Sequence, residues 1–340
     1  MINHQYKLTS PLLIERQCEN IPLDQKNRLI VRPTHLSVCK ADMRYYFGQR
    51  NADVLKQRLP MVLIHEACGE VIYDSENRFE RNSRVVLLPN IGGSDKFYME
   101  NYRLDSVFRS SKADGFMQEM ISMDYNHVVP YTKKNYDNVF AFTEFISVGI
   151  HAVNSFLESS HSRKNKICVF GDGALSYVVC SILKNKLKGA KIAVMGINPV
   201  KLQYFNFVDE VINISRRSKF HDYDHAFECV GGSASGTAIN QIIDIIAPQG
   251  TIMILGVSEE NVALNTRMIL EKGLTVMGRS RSRREDFIEA VHLIENDRIF
   301  ASRMKQMISA EVDVFSVNDI VKAFDLAKTS DFKVVMRWCI

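Results

Sequence analysis

No CxxC pair occurs in this sequence, and its cysteines number seven, at positions 18, 39, 68, 168, 180, 229 and 339. An odd, scattered set does not build a disulfide framework and fits a reducing compartment, so a cytoplasmic location is expected. A run of about 18 apolar residues is also missing, which argues against a membrane-spanning helix. The opening MINHQYKLTS lacks the basic-then-apolar pattern of a secretory signal. Nor does one sign of charge dominate: 43 Lys and Arg against 39 Asp and Glu leave +4, spread along the chain. Neither a nucleic-acid partner nor membrane insertion follows from such a balance. Repeats and low-complexity tracts are lacking as well. What is present is an ordinary globular composition, 46% hydrophobic and 24% charged over 340 residues, long enough for two cores.

Up to residue 147, short β-like runs (Arg28–Arg32, Met61–Ile64, Arg84–Leu88, His127–Val129) alternate with Pro33, Pro60, Pro89 and Pro130. That pattern suggests a barrel-like or meander β domain. From Lys166 the texture changes. Lys166–Phe170 reads as a strand, and Ala174, Leu175, Val178, Val179, Ile182, Leu183 and Leu187 then recur at helical spacing. Further strands are predicted at Lys191–Met195, Glu210–Ile214, His225–Val230, Thr251–Leu255 and Leu274–Met277. Ala238, Ile239, Ile242, Ile243 and Ile246 mark one of the helices between them. Repeated βα units predict an α/β fold with a doubly wound parallel sheet over about 148–295. Beyond 296 the alternation lapses into a helix at about 317–328, capped by Ser316, and a last strand at Lys333–Met336.

Directly after the first strand of the alternating region comes Gly171-Asp172-Gly173-Ala174-Leu-Ser176, a G-x-G-x-x-G pattern with a small Ser at the third glycine. Gly171 allows a tight turn, Gly173 lets backbone N–H groups approach a pyrophosphate, and the helix start supplies partial positive charge. The end of the second strand then selects the cofactor. A site for NAD usually carries an acid there for the ribose 2′-hydroxyl. Here the segment reads Gly196-Ile-Asn198-Pro-Val-Lys201, with Arg216-Arg217 after the next strand. A carboxylate ~4 Å from a 2′-phosphate would be repelled by roughly 4 kcal/mol at an effective dielectric of ~20, so a missing acid and added cations favour NADP(H). On this reading Gly196→Asp would shift selectivity toward NADH.

The first region offers Cys39-Lys-Ala41-Asp42, then His65-Glu66-Ala-Cys68-Gly-Glu-Val, then Glu144-Phe-Ile-Ser-Val-Gly-Ile-His151. A thiolate, an imidazole and a carboxylate are the ligand types of a catalytic zinc, although residues so far apart in sequence say little by spacing alone. Taken with the glycine loop, these motifs and their order resemble the zinc-dependent medium-chain alcohol dehydrogenases, and among them the sorbitol and polyol branch. The resemblance covers almost the whole chain. It implies a GroES-like catalytic domain at 1–147, a Rossmann NADP-binding domain at 148–295 and a C-terminal segment, 296–340, returning to the catalytic domain. It also implies that Cys39 and His65 are zinc ligands and that Glu66 and Glu144 are carboxylates used as ligand or exchange partner. Zn²⁺ with one thiolate and one carboxylate sums to zero, and binding both glutamates leaves −1, so Glu66 and Glu144 are expected to alternate with water or a substrate oxygen. Asp42 is then placed to orient a ligand, and Tyr45 at the position of a substrate-site tyrosine.

Two departures from the family stand out. Relatives often start a proton relay from Ser or Thr two residues after the ligand cysteine, where this chain has Ala41. Many also carry a four-cysteine structural zinc lobe near 85–105, where this chain has no cysteine, so one catalytic zinc and no structural zinc are expected. Cys68, Cys168, Cys180 and Cys229 read as core residues.

The activity the resemblance implies is hydride transfer from NADPH to ribulose 5-phosphate to give ribitol 5-phosphate, for ribitol teichoic-acid or capsule precursors. Other polyols or sugar phosphates, and a catalytically silent dinucleotide-binding subunit, stay open at this point. A sugar phosphate needs cations, for which Arg44 and Arg281, within the run Arg279–Arg284, are candidates. The resemblance further implies a homodimer or higher oligomer and association with a cytidylyltransferase.

Overall fold

The computed structural model describes all residues except 24–25, 96 and 217–221, and Arg217 therefore lies outside the described residues. The chain divides into two compact units, residues 1–147 with 281–340, and residues 148–280. The expected boundary at 295 moves to 280. The reason is the helix Arg284–Asn296, which buries Phe287, Ala290, Val291 and Ile294 within the first unit. There Arg284 Nη2 donates to the Val128 carbonyl, and the Thr132 N–H donates to Glu295 Oε1 at 2.6 Å.

In the first unit the long strand Arg28–Val38 is the hub. It pairs antiparallel with Ala67–Asp74 on one side and with Lys333–Trp338 on the other. The C-terminal strand thus completes the sheet that the N-terminal half begins, and Ile308–Val314 adds beside it in parallel. A second, three-stranded sheet joins Leu13–Asn20, Ile2–Ser10 and Met61–Val62. Between the layers lies one apolar cluster that includes Leu29, Val31, Leu36, Leu63, Val85, Phe116 and Met336. The helix Val317–Thr329 closes against it through buried Ile320, Ala323 and Phe324. Ser316 precedes that helix without capping it: its hydroxyl donates to Asp319 Oδ2 at 2.8 Å, and the carboxylate in turn accepts the Phe315 N–H. A hydroxyl can play either role, which is why the expected cap is reversed.

The second unit is a six-stranded, wholly parallel sheet. Its strand order is Glu210–Asn213, Lys191–Gly196, Lys166–Phe170, His225–Glu228, Thr251–Ile254, Thr275–Gly278. Numbered along the chain this is 3-2-1-4-5-6, the doubly wound order, with the reversal of direction between the first and fourth strands. The helix Ser235–Ile245 presents Ala238, Ile239, Ile242 and Ile243 to the sheet, as their spacing predicts. Cys168, Cys180 and Cys229 are buried here, and all seven cysteines are free.

His225 opens the fourth strand, fully buried against the rings of Phe156 and His161. Its Nδ1 accepts the Thr251 N–H at 3.0 Å and its Nε2 donates to the Arg163 carbonyl at 2.8 Å, an arrangement that needs the neutral ring. Burial, then neighbouring His161, pushes its pKa from 6.5 down to about 4. Between these values the unfolded chain binds the proton and the folded chain does not. Stability should therefore fall by about 2 kcal/mol from pH 7 to 4 on account of this residue. Urea titrations at both pH values should show a smaller drop for His225→Asn than for the native chain.

Candidate functional site

Cys39 follows the hub strand and leads into the helix Lys40–Tyr46, whose first turn carries Asp42. His65 comes from the connection after Met61–Val62, next to Ile64, which is held at φ +69°. A β-branched residue in the left-handed region costs about 1–3 kcal/mol and persists only where neighbours fix it. Here the Ile64 N–H donates to Asp42 Oδ1 at 3.0 Å, and the Phe116 N–H donates to the Ile64 carbonyl at 2.7 Å. Ser110, also left-handed at φ +59°, donates its hydroxyl to the same Asp42 oxygen at 2.5 Å. Two left-handed residues thus aim a backbone N–H and a hydroxyl at one carboxylate oxygen.

Around His65 the geometry is directional. Nδ1 lies 3.4 Å from Asp42 Oδ1, whereas Nε2 faces Cys39 Sγ at 3.3 Å and Glu144 Oε2 at 4.0 Å. Asp42 therefore selects Nε2 as the nitrogen free to ligate. Donor atoms of Cys39, Asp42 and His65 lie within 4.8 Å of one another, as do those of His65, Glu66 and Glu144. Thiol, imidazole and carboxylate, with Cys39 half-buried and the other groups buried, are the donor set of a zinc centre, and the residues fit that ion. Burial would raise the Asp42 carboxyl, but the His65 ring and the hydrogen bonds it receives hold it at about 2. Burial, with Asp42 adding, pushes the Cys39 thiol up to about 11, and burial pushes Glu144 up to about 7, with Glu66 adding to it. His65 is raised well above its ordinary value, because Cys39 and Asp42 outweigh the opposing burial.

Glu66 has a partner that its motif does not announce. Both of its oxygens accept from Lys333 Nζ, at 2.6 and 2.7 Å, in a pair buried from solvent on both sides. The ammonium also sits 4.0 Å from the Phe145 ring centroid. Glu66 thus lies within the donor cluster around His65 with its carboxylate paired to Lys333. Lys333, the residue sequence reasoning missed, opens the C-terminal strand 267 positions from its partner. A lysine at the start of an apolar strand gives no signal of such burial.

Of the substrate candidates, Arg281 reaches the neighbourhood of the cluster. Its guanidinium lies 5.4 Å from the Phe108 ring, whose other neighbour is His65, with ring centroids 5.2 Å apart. Arg281 is left-handed at φ +57° and donates to the Asn101 carbonyl and Ser106 Oγ. Tyr45 is buried in the core of the first unit beneath the Arg50 guanidinium, and Arg44 is half-buried on the same helix.

In the second unit Gly171 adopts φ +122°, and a Cβ there would lie 2.6 Å from Ser176 Oγ, so only glycine fits. Ala174 begins the helix Ala174–Lys186, and a Cβ added to Gly173 at its N-cap would meet nothing within 4 Å. That open space in front of a helix start is the cradle a pyrophosphate needs. The end of the second strand carries no acid of its own, yet one arrives there. Asp172 Oδ2 accepts the N–H groups of Ile197 and Asn198, at 2.8 and 2.7 Å, so an acid does reach this place, from the glycine loop. A Cβ on Gly196 would lie 2.6 Å from Asp172 Cβ, so Gly196→Asp has no room without displacing Asp172. Asn198 caps the next helical turn by accepting from the Val200 and Lys201 N–H groups. Arg216 is exposed and lines a shallow hollow with Pro199 and Asn213.

Comparison with known proteins agrees with both halves. The family described as alcohol dehydrogenase GroES-like domain matches residues 25–133, and zinc-binding dehydrogenase matches 175–296. A ribulose-5-phosphate reductase of Streptococcus pneumoniae is 43% identical over 340 residues, 99% of this chain and 98% of the relative. One from Bacillus spizizenii is 39% identical, covering 99% of each chain. The crystal structure of S. aureus TarJ in complex with NADPH superposes over 100% of both chains with a TM-score of 0.89 at 37% identity. No single helix among the described residues is long and apolar enough to cross a membrane. With the fold, the donor cluster and these full-length likenesses together, the chain belongs to the zinc-binding medium-chain dehydrogenase family.

Proposed function

We propose that this protein is a cytoplasmic, NADPH-dependent ribulose-5-phosphate reductase that forms ribitol 5-phosphate for ribitol-containing teichoic-acid or capsule precursors. The observation that carries the reading is the 39–43% identity, over essentially the full length, to ribulose-5-phosphate reductases. Cys39, His65 and Glu144 would hold the zinc ion, with the Gly171–Ala174 turn, Asn198, Lys201 and Arg216 toward the cofactor. When bound, zinc supplies Lewis-acid polarisation of the ketone oxygen and NADPH supplies the hydride.

The chain's own residues do the rest. Asp42 fixes the His65 tautomer and ring plane. Lys333 neutralises Glu66, so the cluster is not overloaded with negative charge and its electrophilic character is kept. Ala41 has no hydroxyl to offer, so the proton for the nascent alcohol must come from a group other than the side chain at this position. Arg281, one aromatic ring away from His65, is placed to pair with a substrate phosphate.

NADPH oxidation with ribulose 5-phosphate, and none with unphosphorylated ribulose, tests the reading; equal rates with both ketoses would contradict it. Arg281→Met is expected to raise KM for the phosphorylated ketose about 10–100-fold with a smaller change in kcat. Self-association belongs to the same proposal. The last sheet strand, Thr275–Gly278, pairs on its outer edge with no described strand and exposes Thr275 and Val276. So does delivery of the product to a cytidylyltransferase.

A further inference from the structure

We propose that Asp172 is the acid of the dinucleotide site, supplied by the glycine loop instead of the second strand, and that it moderates the preference for NADP(H) over NAD(H). The inference rests on the cofactor reading above. Three observations within the second unit carry it. A Cβ on Gly196 would meet Asp172 Oδ2 at 2.7 Å, so the carboxylate fills the path that an acidic side chain from the end of the second strand would take. One oxygen, Oδ2, is committed to the Ile197 and Asn198 N–H groups, which fixes the carboxylate in place. The other, Oδ1, accepts from no described residue, and no described cation pairs with the side chain.

An oxygen so held is an acceptor without a donor at the place where dinucleotide folds put the acid that binds a ribose hydroxyl. Toward NADH the free oxygen gains a hydrogen bond from the ribose. Toward NADPH the same charge faces a 2′-phosphate, and the attraction must come from cations nearby, of which exposed Arg216 is one. Selectivity in this chain is therefore a balance between an acid and those cations, not the consequence of a missing acid.

Two substitutions separate charge from architecture. Asp172→Asn retains an oxygen that accepts from both N–H groups and removes only the charge. Asp172→Ala removes the staple as well. Dissociation constants for NADPH and NADH are read by nicotinamide fluorescence on the native, metal-loaded protein and on both variants. Asp172→Asn is expected to tighten NADPH and weaken NADH, moving the ratio of the two constants about tenfold. Asp172→Ala is expected to move the ratio in the same direction while also weakening both cofactors. An unchanged ratio in Asp172→Asn, with NADPH still bound by the native protein, overturns the inference alone. Failure of the native protein to bind either dinucleotide overturns the cofactor reading and the inference with it.

Discussion

Lys333→Met is expected to lower the unfolding free energy by about 3–5 kcal/mol, since it strands a carboxylate in the interior of the first unit. Glu66 is fully buried, and both of its oxygens are engaged by the single ammonium of Lys333, a residue itself only 4% exposed. Removing the cation leaves the anion with neither water nor a partner. Replacing both residues by apolar ones removes the desolvation problem, so the double variant Glu66→Met with Lys333→Met should recover much of the loss. Urea unfolding of the two variants measures this directly. A loss below about 1 kcal/mol in the single variant would show that the pair is not stabilising the sheet it closes. The single variant is also expected to lose about tenfold in kcat, because the freed Glu66 charge then falls on the donor cluster.

Cys39→Ser is expected to leave the fold intact, abolish tight zinc binding and lower kcat/KM by at least about a thousandfold. The residue caps a short helix with no side-chain hydrogen bond to it, so its replacement removes a donor atom and little else. Metal analysis by mass spectrometry, with circular dichroism as the check on folding, distinguishes this outcome from general damage. Retention of one zinc per chain by Cys39→Ser would point to other residues as the ligands. Because burial raises the Cys39 thiol to about 11, zinc must displace a proton on binding at neutral pH. Affinity is accordingly expected to rise with pH, which calorimetry in buffers of different ionisation enthalpy would detect.

The elements whose hydrophobic period is strong were legible in the sequence, such as the strand Lys166–Phe170 and the helix Ser235–Ile245. Cys39, His65, Glu66 and Glu144 were legible because their motifs occur in a recognisable order, not because spacing alone places them together. What the sequence concealed were side-chain contacts across long separations. Lys333 meets Glu66 through strand pairing at the hub, and Asp172 meets Ile197 through the parallel register of two strands. Both are polar groups whose partner depends on which strands are neighbours, and composition carries no record of that. The same holds for the helix Arg284–Asn296, which packs in the first unit and not with the βα units that precede it in sequence.

Reconstitution of metal-free native protein is the most direct test of the central claim. NADPH oxidation with ribulose 5-phosphate should be negligible in the stripped protein and rise linearly with added zinc to a plateau at one equivalent per chain. Turnover at the native rate by stripped, folded protein would contradict it.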